Sequence, residues 1–230
     1  MNALTTARNA TPARLWLRLA IAIVAITLAS FAIPQSALSV NPPPDGGYPN
    51  QNTAEGDGAL ASLTGGSDNT AIGFDALFSN TTGDLNTASG NLALFGNTRG
   101  VSNTATGQQA LYSNTTGSNN TTSGLNALYS NITGNHNTAA GFMALAVNTG
   151  GSNNTAIGVD ALNQNSTGNA NTASGSDALG NNRNGNTADG FAALSSNSTG
   201  GFDTAIGSFA LGSIFLFPMV SPSDCRILNL

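Results

Sequence analysis

Leucine recurs along this chain at a fixed interval: Leu60, Leu77, Leu94, Leu111, Leu128, Leu145, Leu162, Leu179, Leu194 and Leu211. Four residues before each stands a glycine, from Gly56 to Gly207, and two before that glycine an alanine, with Thr122 the one exception. Every glycine-to-glycine interval is 17 residues except Gly175 to Gly190, which is 15. The polar positions repeat as faithfully. Thr lies three before every anchor glycine, and a second glycine lies ten after nine of them, from Gly66 to Gly200. The consensus is N-T-A-x-G-x-x-A-L-x-x-N-[TS]-T-G-x-x.

A period this short excludes helical-pair repeats, which need ~30 or more residues each. A helical coil would also bury Gly, Asn and Thr in helix interiors, where all three are poor. The pattern predicts two short strands and two turns per copy: N-T-A-x-G as one strand, A-L-x-x as the second, and N-T-T-G as a turn tolerant of left-handed backbone. Copies stacked edge to edge place identical residues in columns and build a shared core. The predicted fold is all-β, a parallel β-solenoid or β-roll of about ten 17-residue coils spanning residues 52–213. At ~4.8 Å per coil it is a rod on the order of 45–50 Å long.

Alternation along the strand assigns the faces. The small, constant Ala column and the Leu column point inward. The position before each anchor varies from Glu55 to Ile72 to Asp189 and points outward, together with the invariant Thr. Stacked Asn side chains from Asn52 to Asn186, with Asp203 last, are expected to form an amide ladder. The two residues missing from the short interval are expected to follow Gly185, in a turn, where a deletion is easiest to tolerate.

The N-terminus has a different pattern. Arg8, Arg14 and Arg18 lead into the apolar run Leu19–Ile33, and no acidic residue occurs before Asp45. This predicts a signal peptide over residues 1–39, cleaved after Ala32 or Ser39. The run falls short of the ~20 residues of a membrane span. The expectation is an exported chain, extracellular or at the cell surface, with no membrane span in the mature form. Residues 40–51, "VNPPPDGGYPNQ", read as a Pro/Gly-rich linker stiffened by three prolines. Residues 214–230 lose the repeat: Ile214 stands where Asn is due. They read as a capping segment or, preferably, as the remnant of a truncated or frame-shifted longer protein.

Composition narrows function. Only 7% of the residues are charged, the net charge is −5, and all six basic residues are arginine. That balance excludes a nucleic-acid surface, which needs Lys/Arg clusters. One cysteine, Cys225, and one histidine, His136, exclude an internal disulfide and the usual Cys/His metal sites. Asp160 and Asp177 occupy equivalent positions in adjacent coils, an arrangement that could hold a cation or split two pKa values. The plainer reading is two solvated aspartates. His136 reads as a solvated turn residue. No nucleophile elbow, P-loop, zinc-protease or calcium nonapeptide motif is present. The chain is expected to be no enzyme, with no cofactor and no metal. A solenoid carbohydrate-active enzyme is the weakest alternative. Sequons such as Asn80-Thr81-Thr82 read as turn chemistry rather than glycosylation acceptors.

The strings "NTAIG" at Asn69–Gly73 and Asn154–Gly158, and "DTAIG" at Asp203–Gly207, resemble the head repeats of YadA-like trimeric autotransporter adhesins. Similar heads also occur in tail-fibre-like surface proteins. The resemblance covers residues 52–213. It implies a secreted trimeric rod that mediates attachment, with a host-surface or matrix ligand as its partner. One column suits a trimer interface. Phe78, Phe95, Tyr112 and Tyr129 each follow an inward leucine, so alternation points them outward as a stripe. Contiguous apolar patches mark interaction surfaces, and Ile72 or Ile157 would contribute. The competing reading is that the rings cover one another. An alternative function, ice binding or other solenoid binding, would use the complete Thr ladder.

Overall fold

The computed structural model describes residues 48–180, 184–197, 200–212 and the backbone of 227–229. The expected signal segment, most of the linker, most of the tail and Cys225 lie outside the described residues.

The chain is an all-β solenoid built on one parallel sheet in sequence order. Its strands are β1 (Thr53–Glu55), β2 (Thr70–Ile72), β3 (Thr87–Ser89), β4 (Thr104–Thr106), β5 (Thr121–Ser123), β6 (Thr138–Ala140), β7 (Thr155–Ile157), β8 (Thr172–Ser174), β9 (Thr187–Asp189), β10 (Thr204–Ile206) and β11 (Ile227–Asn229). Register is set by the repeat: Thr53 faces Thr70, Ala54 faces Ala71, and so on up the stack. Ala–Ala and Leu–Leu columns form a continuous core. Leu77 to Leu194 are fully buried, as are the alanines from Ala71 to Ala205. Thr122, the exception in the Ala column, is buried too. Among the described residues no helix is long and apolar enough to cross a membrane.

Each coil contains one strand, not two. The A-L-x-x segment folds as successive tight turns, and the core leucines sit in left-handed backbone, Leu77 at φ 51 and Leu128 at φ 51. Such backbone costs an L-residue roughly 1–2 kcal/mol. Burying the leucine offsets it by about 1.5–3 kcal/mol. The inter-coil ladder nevertheless continues through the turns: Leu77 N donates to Ala93 O at 3.0 Å, and Leu94 N to Ala110 O at 2.9 Å. Three residues of strand per coil suffice because backbone groups outside the strand also find partners in the next coil.

The anchor glycine is dictated by this packing. Gly124 has φ 145, and a Cβ there would meet the carbonyl oxygen of Gly141 in the next coil. The same holds along the column, which is why the position is never anything else.

Two amide ladders run through the interior. In the first, Asn69 N and Nδ2 both donate to Asn52 Oδ1, at 2.9 and 3.0 Å, while Nδ2 also donates to Gly83 O at 2.8 Å. The pattern repeats in Asn86, Asn103 and Asn120. The second ladder occupies the N-T-T-G segment. Asn97, Asn114, Asn131, Asn148 and Asn165 each donate Nδ2 to the Oδ1 of the asparagine one coil before. That segment is therefore interior on its Asn side as well as a turn.

The deletion lies one step earlier than the sequence suggested. Asn169 N donates to Asn184 Oδ1 across 15 residues, as Ser152 N does to Asn169 Oδ1 across 17. Gly185, φ 76, takes the left-handed place that Ala170 holds one coil before. The two missing residues thus precede Asn184 rather than follow Gly185. Gly185 belongs to the next coil's entry, and residues 181–183, which carry the deletion, lie outside the described residues.

Residues 48–51 pack on the first coil. Pro49–Gln51 form one 3-10 turn, and Asn50 O accepts a bond from Asp68 N at 2.9 Å. At the other end, Ile227–Asn229 of the tail pair with β10, Thr204 facing Ile227.

Candidate functional site

The outward side of the sheet carries two columns. The Thr column, Thr53 to Thr204, is exposed or half-exposed in every coil. It differs from the turn threonines Thr81, Thr98 and Thr115, whose hydroxyls donate to carbonyls of the following coil at 2.9–3.1 Å. Beside the strand threonines lies the variable column. Ile72 is 46% exposed and Ile157 50% exposed.

The aromatic column is a stack. Phe78–Phe95, Phe95–Tyr112 and Tyr112–Tyr129 have ring centroids 5.4, 5.1 and 5.0 Å apart, with interplanar angles of 13°, 6° and 4°. The step follows from the coil spacing, because in-register copies place ring over ring. All four rings are half-buried. They stand outside the Leu column, and their faces cover one another; because the segment is a turn in which consecutive Ala76 and Leu77 are both buried, strand alternation is not what points them outward. Their edges are what remains for a partner.

The other sequence candidates separate. Asp160 Oδ1 accepts from Asn163 Nδ2 at 2.7 Å, and Asp177 Oδ2 from Ser176 Oγ at 3.1 Å. Each carboxylate is engaged within its own coil. Among the described residues no group of three metal-ligating side chains forms. His136 is exposed, at φ 56, in the turn entering coil 6. The sequon asparagines Asn80, Asn114 and Asn131 are fully buried in the second ladder. Their amides hold the coils together, and the folded rod offers no side-chain nitrogen there.

Two further features escaped sequence reasoning. At the N-terminal end a cavity of about 460 Å³ is lined by Tyr48, Pro49, Leu60 and Leu63. Burial, reinforced by the Glu55 carboxylate, raises the Tyr48 phenol above the ordinary tyrosine value. Its hydroxyl is enclosed and has no hydrogen-bond partner among the described residues. A second cavity, of about 330 Å³, opens beside Tyr129 where the aromatic stack stops. The only signal for it in the sequence is the change from Tyr129 to Ala146 in the same column. No family model, no curated protein and no solved structure matches this chain.

Proposed function

We propose that this chain is an exported or cell-surface structural protein whose coil stack serves as an attachment rod, similar in design to the head repeats of YadA-like adhesins. The observation that carries the reading is the outward Thr column, one exposed or half-exposed hydroxyl-bearing side chain per coil in fixed register. Identical weak contacts repeated along a stiff scaffold add up to firm holding without one deep site. The test is retention of the purified mature chain on glass, bare or coated with extracellular-matrix protein. Thr104→Lys with Thr138→Lys should cut retention severalfold at unchanged circular dichroism. Equal retention would remove the Thr face from the proposal.

The proposal includes a homotrimer packed along Phe78, Phe95, Tyr112 and Tyr129, with Ile72 or Ile157 contributing. The column of half-buried rings and, separately, the exposed Ile72 and Ile157 of the strand face support it, since exposed apolar groups mark contact surfaces. Multi-angle light scattering of the mature chain at micromolar concentration should read three chains. A monodisperse monomer removes the trimer. Export is tested separately: mass spectrometry of secreted protein should show loss of the first 32 or 39 residues.

A second reading rests on the same Thr column, as a flat surface that orders water and binds ice. Thermal hysteresis of the purified chain decides between them: its presence favours ice binding, and its absence leaves attachment.

A further inference from the structure

Eight Asn-x-Ser/Thr sequons lie among the described residues, and the fold sorts them into two kinds. Asn80, Asn114, Asn120, Asn131, Asn165 and Asn197 are buried. Each spends its Nδ2 on a carbonyl or on another ladder side chain, as Asn120 does on Asn103 Oδ1 at 3.1 Å and Asn165 on Asn148 Oδ1 at 3.0 Å. For these six, ladder chemistry accounts for the sequon.

Asn119 and Asn153 differ. They occupy one column, two coils apart, in left-handed backbone at φ 58 and φ 60. Their main-chain N–H groups reach back to the coil before, Asn119 N to Val101 O at 2.9 Å and Asn153 N to Asn135 O at 3.0 Å. Both residues are exposed, and neither side-chain amide has a hydrogen-bond partner among the described residues. The residue that follows each, Asn120 or Asn154, is a buried rung of the first ladder. The chain then returns outward, so Thr121 is exposed and Thr155 half-exposed, with hydroxyls that also lack a partner. An N-linked sugar needs this pair, an amide nitrogen at the surface and a hydroxyl two residues on. A sugar on a ladder asparagine would break a buried hydrogen bond and force a bulky polar group into the core.

We propose that Asn119 and Asn153 are N-glycosylation sites, with Thr121 and Thr155 as the hydroxyls that sequon recognition requires. The donor is a polyprenyl-pyrophosphate-linked oligosaccharide. Asn Nδ2 attacks C1 of its first sugar and gives up one proton; the C1–N bond forms, the C1–O bond breaks, and the lipid pyrophosphate leaves. The two glycans stand about 10 Å apart, two coil steps of ~4.8 Å, along one edge of the Thr face. The proposal rests on the export reading, because such sites belong to secreted chains.

The experiment is peptide mass spectrometry of the secreted chain after peptide-N-glycosidase release in heavy-oxygen water, which marks each vacated asparagine as labelled aspartate. The mark is expected at Asn119 and Asn153 and at none of the six ladder asparagines. Thr121→Val keeps a β-branched residue on the outer face and should remove the mark at Asn119 alone. Asn153→Asp tolerates the left-handed backbone and should lower the intact mass by one glycan. The N-terminal peptide of the same sample reads export separately. A secreted chain that has lost its first 32 or 39 residues but carries no sugar at either asparagine overturns the proposal and leaves export standing. If no secreted form exists, purified oligosaccharyltransferase with the lipid-linked donor is applied to the folded chain: transfer to Asn119 and Asn153 keeps the sites while export fails, and no transfer overturns them. Marks on ladder asparagines at unchanged circular dichroism, or a mark at Asn119 that survives Thr121→Val, also overturn the proposal.

Discussion

Asp203 Oδ2 accepts a hydrogen bond from Asn197 Nδ2 at 3.0 Å, joining the two amide ladders in the last coils of the stack. Everywhere before it the first ladder uses asparagine, whose amide both accepts and donates. At Asp203 the backbone N still donates to Asn186 Oδ1, at 2.8 Å, but the side chain only accepts. The column thus closes on a residue that takes a bond from the end of the preceding coil.

The ladders predict a cost for breaking one rung. Asn114 Nδ2 donates to Asn97 Oδ1 at 2.7 Å and to Gly117 O at 2.9 Å, and Asn114 Oδ1 accepts from Asn131. Asn114→Ala removes the donor to the buried Asn97 Oδ1, whereas Gly117 O keeps Asn103 Nδ2 and Asn131 Nδ2 keeps Gly134 O. Urea denaturation should show a loss of about 1–3 kcal/mol, the cost of one buried unpaired acceptor. The exposed Asn119, at φ 58, has no such ladder bond, and Asn119→Gly, which keeps the left-handed backbone, should cost much less. Equal effects would contradict an interior ladder.

The anchor glycine predicts a second asymmetry. At Gly124 an added Cβ meets Gly141 backbone at φ 145, whereas Ser123 before it faces outward. Gly124→Ala should lower stability by more than the roughly 1–3 kcal/mol of backbone strain alone. Ser123→Ala should fall within about 0.5 kcal/mol of the parent. Thermal melts of the two variants check this directly.

The coil architecture was legible because it is written ten times. The Ala and Leu columns named the core, and Thr53 to Thr204 named the outer face. The single strand per coil was not legible. A leucine after an alanine reads as strand, and only the packing of coil on coil forces Leu128 into left-handed backbone. The second ladder hid for a related reason: Asn80, Asn97 and Asn114 stand in a turn signature, and turn chemistry does not announce burial. The aromatic stripe was visible as a column of the repeat, although the alternation used to face it outward does not apply to a turn, and its stacking angles depend on neighbours one coil away.

Tyr48 predicts a pH dependence at the first coil. Its phenol is raised above the ordinary value by burial, with Glu55 adding to the shift. The folded state therefore favours the neutral form. That contribution is fully present below the unfolded value of about 10 and is lost as pH rises through the higher folded value. Hydrogen exchange or tyrosine absorbance near that end should show loosening in alkali that Tyr48→Phe removes. Loosening unchanged in Tyr48→Phe would assign it elsewhere.

The central claim is that each 17-residue repeat is one coil in parallel register. Spin-label distances between outward positions test it most directly. Ser89 and Ser174 pair outward in β3 and β8, five coils apart. With Cys225→Ser, labels at Ser89→Cys and Ser174→Cys should give a narrow distribution near 24 Å, five steps of ~4.8 Å. Moving the first label to Thr106→Cys should shorten it by one step, about 4.8 Å. A broad distribution, or two pairs that do not differ by one coil, would contradict the account.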